Sequence, residues 1–549
     1  MPKTTIPLVG TYTTRPGVFI SSSVSYDQRF INALFEYLPD KYTQSANAYL
    51  VKRPGMLLAL TPSAGNSGTA VHRTGGEASA VITAFGLTNS TIFFSSTNCG
   101  TITGVCYNIS EGYLNNEQFY FFTSTDNTGW YLPGNAANDG SPTFTANTTS
   151  GSPVLTNVSS VTNVYVGQAL SGTGIDAGAR VLTIDSATQI TMTSNATANG
   201  TGVTVTWERI AKIISANFPS SNIGQFVVID GYVCIADDNN RRVYSSNLNS
   251  ITNWNANDYF PFDQEADVPV TCIKHNNKLL VLGRDSFSFY LNTGNPSGSP
   301  FSLIKELTSR IGCRSGIKPF ATVGNSVFWV GGGHGYAICA WEMKDMRARV
   351  FSNSAINRKL SSSIQNYIVS AFAVDGNQYM LVSGDLSILM GPDMQYSEQS
   401  MLSGSGNIVA SGAQSISLGV VTDLQAIYVV DGTTSGKVYR TDVNTYQDDG
   451  SAFTMTIQLE PKVLNGGSPF TIKSIDLLAD DQASGSTTLE ISGNDYASFA
   501  TIGTFDMTST RKRIHRCGYY RSHFIPRLTH SANTAWRGQA IVVDWEPAG

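Results

Sequence analysis

Short apolar runs separated by tight polar turns recur along the middle of the chain. In residues 226–248, FVVIDGYVCIADDNNRRVYSSNL, apolar runs at 226–229 and 232–236 flank the dipeptide Asp230–Gly231. Asp-Gly between two β-rich runs is the strongest short-range hairpin signal, because its tight turn requires positive φ at both central residues. The stretch therefore predicts a hairpin, followed by a third strand around Val243 and Tyr244.

The same unit returns downstream at a regular interval. Its first turn residues are at positions 230, 276, 324, 375 and 431, so the steps are 46, 48, 51 and 56 residues. A nearly constant step of about fifty residues, each holding three or four short strands, is typical of β-propeller blades. Together with similar stretches at 90–109 and 114–132, the repeat predicts about six or seven blades between about residues 60 and 450.

Residues 141–206 interrupt the repeat. They contain only three charged residues, Asp176, Arg180 and Asp185, and alternating strands separated by glycine turns. This pattern predicts a small β-module inserted in a propeller loop. A solvated spacer or decoration and a glycan- or host-surface-binding module are both compatible with it.

The two ends of the chain show other patterns. Longer alternating strands from 451 to 549 predict a β-sandwich-like domain. Near the N-terminus, QRFINALFEYL (28–38) carries an apolar stripe at helical spacing and predicts a helix. The expected all-β organisation is an N-terminal segment packing on the propeller (1–60), first blades (61–140), the inserted module (141–206), the remaining blades (207–450) and the sandwich-like domain (451–549).

Composition narrows the functional classes. The net charge of −5 provides no overall basic field to recruit nucleic acid, and no run of about 18 apolar residues predicts a membrane span. The start of the chain lacks the pattern of a secretory signal, so the seven cysteines are expected to be reduced, buried side chains in a cytoplasm.

Two stretches resemble catalytic motifs, but each lacks a residue that the motif requires. DGTTSGKV (431–438) resembles a phosphate-binding loop, but its glycine spacing is one residue short and Val438 occupies the position of the magnesium-binding hydroxyl. GGGHG (331–335) is similar to an oxyanion loop, yet no G-x-S-x-G motif supplies a nucleophile. We expect no enzyme activity, no cofactor and no metal site.

One strongly basic segment stands out near the C-terminus. Between Met507 and Val543 there is no Asp or Glu. The segment contains seven cations, Arg511, Lys512, Arg513, Arg516, Arg521, Arg527 and Arg537. They predict a sheet face paired with acids elsewhere, a subunit or partner interface, or a phosphate-contacting surface.

Several stretches resemble a known family. FINALFEYLPDKYTQSANAYLVKRPGM (30–56), with its Leu38–Pro39 and Arg53–Pro54–Gly55 elements, is similar to the opening of tail nozzle proteins of short-tailed phages, also called tail hub or packaged-DNA stabilisation proteins. The resemblance continues at 241–294 and 305–332 and in the closing strands and basic segment at 489–528. The inserted stretch 166–202 resembles a β-module that recurs as an addition to phage structural proteins.

The resemblance implies an architectural role. Family members form propeller rings, usually of six subunits, below the portal and adaptor proteins. It implies a homo-hexamer in the virion, assembled in the host cytoplasm, that prolongs the channel for double-stranded DNA without sequence-specific binding. It also implies that the ring helps to retain the packaged genome and docks tail fibre, spike or needle proteins. The alternative is a propeller adhesin or a polysaccharide-binding or polysaccharide-cleaving protein.

Overall fold

In the computed structural model, the regular secondary structure of the described residues is almost entirely β-strand. The structure describes residues 2–9, 29–37, 48–73, 81–137, 140, 142–219, 221, 223–262, 267–295, 298–314, 320–323, 326–331, 337–342, 347–350, 352, 357, 360, 368–374, 377–383, 388–390, 396–399, 413–421, 424–432 and 435–548. By the contacts between Cα atoms it divides into a propeller unit (60–350 and 413–438) and a sandwich unit (1–59, 351–412 and 439–549).

The first strands are β1 (Lys3–Pro7), β2 (Arg29–Ile31), β3 (Ala33–Tyr37), β4 (Ala48–Lys52), β5 (Gly55–Leu60), β6 (Gly68–Arg73), β7 (Val81–Phe85), β8 (Asn89–Phe94), β9 (Thr97–Thr103), β10 (Cys106–Leu114), β11 (Glu117–Ser124) and β12 (Gly129–Pro133). One helical turn, α1 (Gly134–Ala137), precedes β13 (Thr143–Thr148), β14 (Val154–Leu155), β15 (Gln168–Gly172), β16 (Val181–Ser186), β17 (Gln189–Met192) and β18 (Gly200–Lys212).

The central strands are β19 (Val227–Ile229), β20 (Tyr232–Asp237), β21 (Arg242–Ser245), β22 (Tyr259–Pro261), β23 (Pro269–His275), β24 (Lys278–Gly283), β25 (Phe287–Asn292), β26 (Phe301–Ser309), β27 (Phe320–Val323), β28 (Ser326–Gly331), β29 (Ala337–Glu342), β30 (Arg347–Val350), β31 (Ile368–Val374), β32 (Asn377–Ser383), β33 (Ile388–Met390), β34 (Tyr396–Glu398), β35 (Ala413–Val421) and β36 (Leu424–Asp431).

The last strands are β37 (Val438–Asp442), β38 (Gln447–Asp448), β39 (Ser451–Ala452), β40 (Met455–Gln458), β41 (Lys462–Val463), β42 (Phe470–Ala479), β43 (Ser486–Ser492), β44 (Ala500–Asp506), β45 (Lys512–Tyr520), β46 (His523–His530) and β47 (Arg537–Pro547). A 3-10 turn, Asn465–Gly467, lies between β41 and β42. No helix in the described part of the chain is long and apolar enough to cross a membrane.

In the described residues of the propeller unit, five groups of four antiparallel strands follow one another, and the sheet of the second group continues into β13 and β15. The groups are β6–β9, then β10–β12 with β18, then β19–β22, β23–β26 and β27–β30. Their inner strands are buried on both faces. Tyr120 and Phe122 of β11 share an apolar cluster with the first sheet, whereas Phe121 shares one with the third sheet. Because side chains alternate along a strand, one strand can pack against both neighbouring sheets, which is the packing expected of propeller blades.

The backbone conformation of the hairpin turns explains why the repeat could be predicted from the sequence. Asp230 and Gly231 have φ of 50° and 82°, and Asn276 and Asn277 have φ of 47° and 57°. Asp, Asn and Gly tolerate this left-handed region, so the turn type follows from local chemistry. The predicted turns at 324–325 and 375–376 lie outside the described residues.

The last predicted turn marks a different position in its sheet. Asp431 ends β36, which is the second strand of its sheet. The first two strands of this sheet, β35 and β36, are connected between Val421 and Leu424. The predicted step to position 431 is longer than the others because Asp431 lies at the end of the second strand of its sheet and not at the end of the first. Asp431 accepts a hydrogen bond from the hydroxyl of Ser435 at 2.6 Å and shapes the following loop.

The inserted residues form a module with its own core. Leu155, Val181, Ile190 and Val205 are among its fully buried side chains. Strand β18 pairs with β13 and β15 of the module and also with β12 of the second blade. Because this single strand belongs to both the module and the blade, it fixes the register between them.

Two sheets in the described residues of the sandwich unit share one core. The first has the order β3–β4–β47–β42–β45, with β1 also paired to β47, and the second has the order β31–β32–β33–β34–β2–β40–β46–β43–β44. Phe30 and Leu528 of the second sheet share the core with Phe35 and Ile541 of the first. The predicted C-terminal sandwich is confirmed, and strands of the N-terminal segment also belong to it. The domain boundaries expected from the sequence stay predictions.

The predicted helix at 28–38 is wrong. Residues 29–37 form β2 and β3, separated by Asn32 with φ of 55°. The spacing of the apolar side chains fits a helix, but Phe30 pairs with Ile457 and Phe35 with Leu50 on different strands. These long-range pairings, which override the local pattern, are not visible in the sequence.

Candidate interface on the C-terminal sandwich

The seven cations of the basic segment do not share one surface. Arg511 precedes β45, which carries Lys512, Arg513 and Arg516, and Arg521 follows it. Arg527 lies on β46 and Arg537 begins β47. Strands β45 and β47 belong to the first sheet of the sandwich and β46 to the second, so sequence proximity does not translate into a single patch.

Four of the seven cations form ion pairs within the sandwich unit. Lys512 Nζ lies 2.5 Å from Asp481 Oδ1, and its side chain is only 2% exposed. Arg513 pairs with Asp476, its neighbour across β42 and β45. Hydrogen bonding to Arg513 lowers the pKa of Asp476. The Arg513–Asp476 pair connects two neighbouring strands, and the Lys512–Asp481 pair attaches β45 to the loop after β42, so both have a structural role.

In each of the other two pairs the guanidinium also lies over an aromatic ring, Phe499 for Arg527 and Tyr49 for Arg537. Arg527 Nε donates to Glu490 Oε2 at 2.8 Å, and the guanidinium lies 3.9 Å from the ring centroid of Phe499. Arg537 Nε donates to Glu36 Oε2 at 2.7 Å. Arg537 thereby joins the C-terminal strand to the N-terminal segment, a partner that the sequence did not reveal.

Three cations, Arg511, Arg516 and Arg521, are exposed. None of them belongs to an ion pair found in the described ranges. Arg516 lies in a β-bulge of β45, where the register to β42 shifts between Ile472 and Ser474. Its φ is 60°, an uncommon conformation for an arginine. A bulge bends its strand and redirects a side chain, and it often lies next to a functional site.

A shallow concavity of about 620 Å³ surrounds Arg516. We call it the Arg516 concavity; it is lined by Thr471, Ile472, Lys473, His515, Arg516, Gly518 and Tyr519. Tyr519 is 57% exposed, and Lys473 Nζ pairs with Glu546 at 2.6 Å. Exposed Arg and Tyr side chains around a depression are the residue types that dominate protein interfaces. Lys473 is 43 positions before Arg516 in the chain, and only the pairing of β42 with β45 brings it here.

The Arg53–Pro54–Gly55 element also has a structural explanation. Arg53 forms two hydrogen bonds with Asp448. A Cβ on Gly55 would lie 2.1 Å from the backbone oxygen of Gln447, so only glycine allows this close approach. The element therefore attaches the N-terminal segment to residues 447–448 of the sandwich unit.

Comparison with solved structures finds chains of weak overall similarity. The N-terminal domain of Nup159 gives a TM-score of 0.38 at 8% identity, covering 75% of this chain and 98% of its own. The BBS1N chain from a complex with ARL6DN gives 0.35 at 9% identity, covering 71% of this chain and 97% of its own. No curated protein sequence matches the chain.

A family model matches the middle of the chain. The model, described as bacteriophage P22 Gp10, β-propeller, matches residues 153–383. These residues run from the inserted module through the third, fourth and fifth blades to β32. The match confirms both the predicted β-propeller and the resemblance found in the sequence, which is to the phage P22 Gp10 family of tail stabilisation proteins.

Proposed function

We propose that this chain is a structural subunit of a phage tail that assembles into a ring below the portal and adaptor proteins. The ring is a homo-hexamer that extends the DNA channel, helps to retain the packaged genome and docks fibre, spike or needle proteins. The match of residues 153–383 to the P22 Gp10 β-propeller family is the observation that carries this proposal. It also favours a role without catalysis.

The propeller unit suits such a role because it is a rigid scaffold. Each inner strand packs on both faces, and the module shares β18 with a blade. A ring requires two different, complementary surfaces on every subunit, and closely packed blades hold such surfaces at a constant angle. The net charge of −5 disfavours tight binding of phosphate, which allows duplex DNA to move along the channel.

The Arg516 concavity and the exposed Arg511 and Arg521 are the proposed contact for a neighbouring subunit or adaptor. The paired Lys512, Arg513, Arg527 and Arg537 already have acidic partners in this chain and are assigned a structural role. Exposed cations without such partners can pair with a carboxylate of another subunit. They then contribute to specificity and to the association rate.

Multi-angle light scattering tests the ring directly. The purified protein is measured alone and after mixing with the adaptor ring of its phage. We expect a discrete species close to six subunits, or one that forms only with the adaptor. A chain that stays monomeric in both samples would contradict the proposal.

Charge reversal then tests the proposed contact. Arg516→Glu and Arg521→Glu are each expected to raise the protein concentration needed for half-maximal assembly at least tenfold. The reason is that a contact between like charges opposes association. Lys274→Glu makes the same charge change at an exposed position of the propeller unit and serves as the matched control. If all three variants assemble like the wild type, the ring does not use the Arg516 concavity.

A further inference from the structure

One strand of the inserted module leaves a sheet edge open. Strand β16 is an outer strand of the three-stranded sheet β14–β17–β16. Its first residue, Val181, accepts a hydrogen bond from the backbone N–H of Gly167 on the side away from β17. Residues 182–186 are all exposed, and their backbone has no partner on that side among the described residues. Because every second residue of an antiparallel strand directs its N–H and C=O away from its neighbour, this edge is able to pair with an added strand.

The side chains of β16 do not protect this edge. Open edges in native proteins usually carry lysine or proline, which oppose the addition of a strand. Strand β16 contains neither, and Leu182 and Ile184 are 44% and 37% exposed. Its one charged residue, Asp185, accepts hydrogen bonds from the hydroxyls of Thr183 at 2.7 Å and Thr191 at 2.6 Å, so it is already engaged within the module. Register shifts against β17 lie on either side of Thr183 and Ile184, which are paired regularly.

A cleft of about 250 Å³ adjoins this edge, between the module and the second and third blades. Its lining includes residues 164–166 and 249–252 and also Phe119, Tyr131 and Ile184. The walls are connected to each other, because the hydroxyl of Tyr131 donates to the carbonyl of Val166 and the rings of Phe119 and Tyr165 pack edge-on at 6.4 Å. The cleft is therefore preformed, which lowers the entropic cost of binding.

Glu117 places a carboxylate at the wall of the cleft. Its Oε1 accepts hydrogen bonds from the hydroxyl of Tyr165, which also lines the cleft, and from Asn135 Nδ2 at 3.1 Å. Glu117 is half-buried, and in the part of the chain that the structure describes it has these neutral partners and no ion pair. A partly desolvated carboxylate without a cation gains strongly from a cationic partner.

Apolar walls with one carboxylate are complementary to the side chain of lysine or arginine. Such a side chain packs its apolar stem along a hydrophobic surface and brings its charged head group to the carboxylate. The described lining itself contains no Lys or Arg, which disfavours a nucleic acid as the occupant.

We propose that the open edge of β16 pairs with an extended segment of a partner protein, and that a Lys or Arg side chain of this segment enters the cleft and pairs with Glu117. Ile184 belongs to both the edge and the cleft, so one bound strand reaches both. Backbone hydrogen bonds to the edge then supply affinity, and the cleft selects the side chain. The proposal does not depend on ring formation.

Isothermal titration calorimetry on the full chain tests the site with short synthetic strands. The probe is the acetylated, amidated heptapeptide TVTRTVT, and the comparison peptide TVTETVT carries glutamate in place of arginine. We expect the arginine peptide to bind at least tenfold more tightly, because the glutamate peptide places a like charge beside Glu117. Absence of binding by the arginine peptide, or equal affinity of the two peptides, would overturn the proposal.

N-methylation of the arginine peptide tests the pairing with the edge. One derivative is methylated at the amides of its valines and arginine, and another at the amides of its threonines. A strand added to one edge uses only every second N–H, so one derivative is expected to lose binding and the other to retain most of it. Equal affinity of the two derivatives would show that the peptide does not bind as an added strand.

Two matched variants of the chain test the role of Glu117. Glu117→Gln removes the charge but keeps an oxygen that accepts a hydrogen bond from Tyr165, and it is expected to weaken binding of the arginine peptide about tenfold. Asp176→Asn makes the same charge change at a residue of the module that does not line the cleft, and should keep the wild-type affinity. Equal weakening in the two variants would overturn the assignment to Glu117.

Ile184→Lys distinguishes a partner protein from a second copy of this chain. A lysine on an open edge opposes strand addition, so the variant is expected to lose peptide binding while its assembly, measured by light scattering, stays as in the wild type. Unchanged peptide binding would contradict the proposal. Loss of assembly would show that a neighbouring subunit covers the edge, and the proposed partner would then be wrong.

Discussion

Arg53 and Asp448 lie 395 positions apart in the chain and form a buried ion pair with two hydrogen bonds. Arg53 Nη1 donates to Asp448 Oδ1 at 3.0 Å and Nη2 donates to Oδ2 at 2.5 Å, with side-chain exposures of 5% and 1%. Nε of Arg53 donates to Asn32 Oδ1 at 3.1 Å, and the guanidinium lies 3.8 Å from the ring centroid of Phe453. This one side chain connects the N-terminal segment to the C-terminal part of the sandwich unit.

Removing one partner of this pair is expected to destabilise the sandwich unit strongly. Arg53→Met leaves Asp448 charged and buried without its main partner, so we expect a loss of about 3–5 kcal/mol in the free energy of unfolding. Urea unfolding followed by fluorescence measures it. Arg284→Met is the control, because Arg284 is 51% exposed in its pair with Asp238 and should cost less than about 1 kcal/mol. Equal losses in the two variants would contradict the assigned role.

Gly55 is expected to tolerate no side chain. Its Cβ would lie 2.1 Å from the carbonyl oxygen of Gln447, and the Gly55 N–H already donates to the carbonyl of Thr445 at 2.6 Å. The backbone must therefore move in Gly55→Ala, at a cost of about 1–3 kcal/mol. Gly140→Ala is the matched control, since a Cβ there has no atom within 4 Å and should change stability by less than about 0.5 kcal/mol. The denaturant concentration at the unfolding midpoint is compared between each variant and the wild type. Equal shifts in the two variants would contradict the prediction.

His530 is expected to make the sandwich unit sensitive to acid. Burial, with the charge of Lys52 as a second cause, lowers the pKa of His530 from 6.5 to about 4. Between these values the unfolded chain binds a proton that the folded chain does not. The associated stability is fully present above pH 6.5 and is lost as the pH falls towards 4, by at most about 3 kcal/mol.

Urea unfolding at pH 7 and pH 4.5 measures this dependence. His530→Asn is expected to show a smaller difference between the two pH values than the wild type, even if it is less stable at both. His515→Gln, at an exposed histidine, should keep the wild-type difference. The same difference in His530→Asn as in the wild type would show that another group titrates.

The backbone conformation of Arg516 is expected to lower the free energy of unfolding. Its φ of 60° disfavours any residue with a Cβ by about 1 kcal/mol, whereas glycine adopts this conformation freely. Arg516→Gly should therefore be about 1 kcal/mol more stable than Arg516→Ala, although both remove the same charge. If the proposed contact is correct, both variants weaken assembly equally. Thermal unfolding and light scattering measure the two effects separately, and a less stable glycine variant would contradict the first.

The blades could be predicted because their signals are local. The dipeptides at 230–231 and 276–277 adopt positive φ, which their residue types tolerate, and the apolar runs beside them alternate between two buried faces. The position of Asp431 could not be assigned in this way, because an Asp-Gly pair stabilises a turn wherever it occurs in a blade. Only the strand bounds distinguish the second turn from the first.

The candidate interface could be predicted only in part. The sequence predicts a basic segment, but four of its seven cations pair with acids at Glu36, Asp476, Asp481 and Glu490. Each partner is 31 or more positions away, and charge attraction alone does not reveal which strands become neighbours. The bulge at Arg516 also depends on the pairing of two strands, β42 and β45, that are distant in sequence.

The sequence by itself thus determined the β-rich composition, the hairpin turns at 230–231 and 276–277, the C-terminal strands and the family resemblance, because each of these depends on a short stretch of residues. The tertiary structure alone decided that residues 29–37 are strands, that the N-terminal segment belongs to the sandwich unit, and which cations remain exposed. The physical reason is that these outcomes depend on which strands pair over hundreds of residues. Burial and hydrogen bonding in the folded state select those pairs, whereas local conformational preference does not.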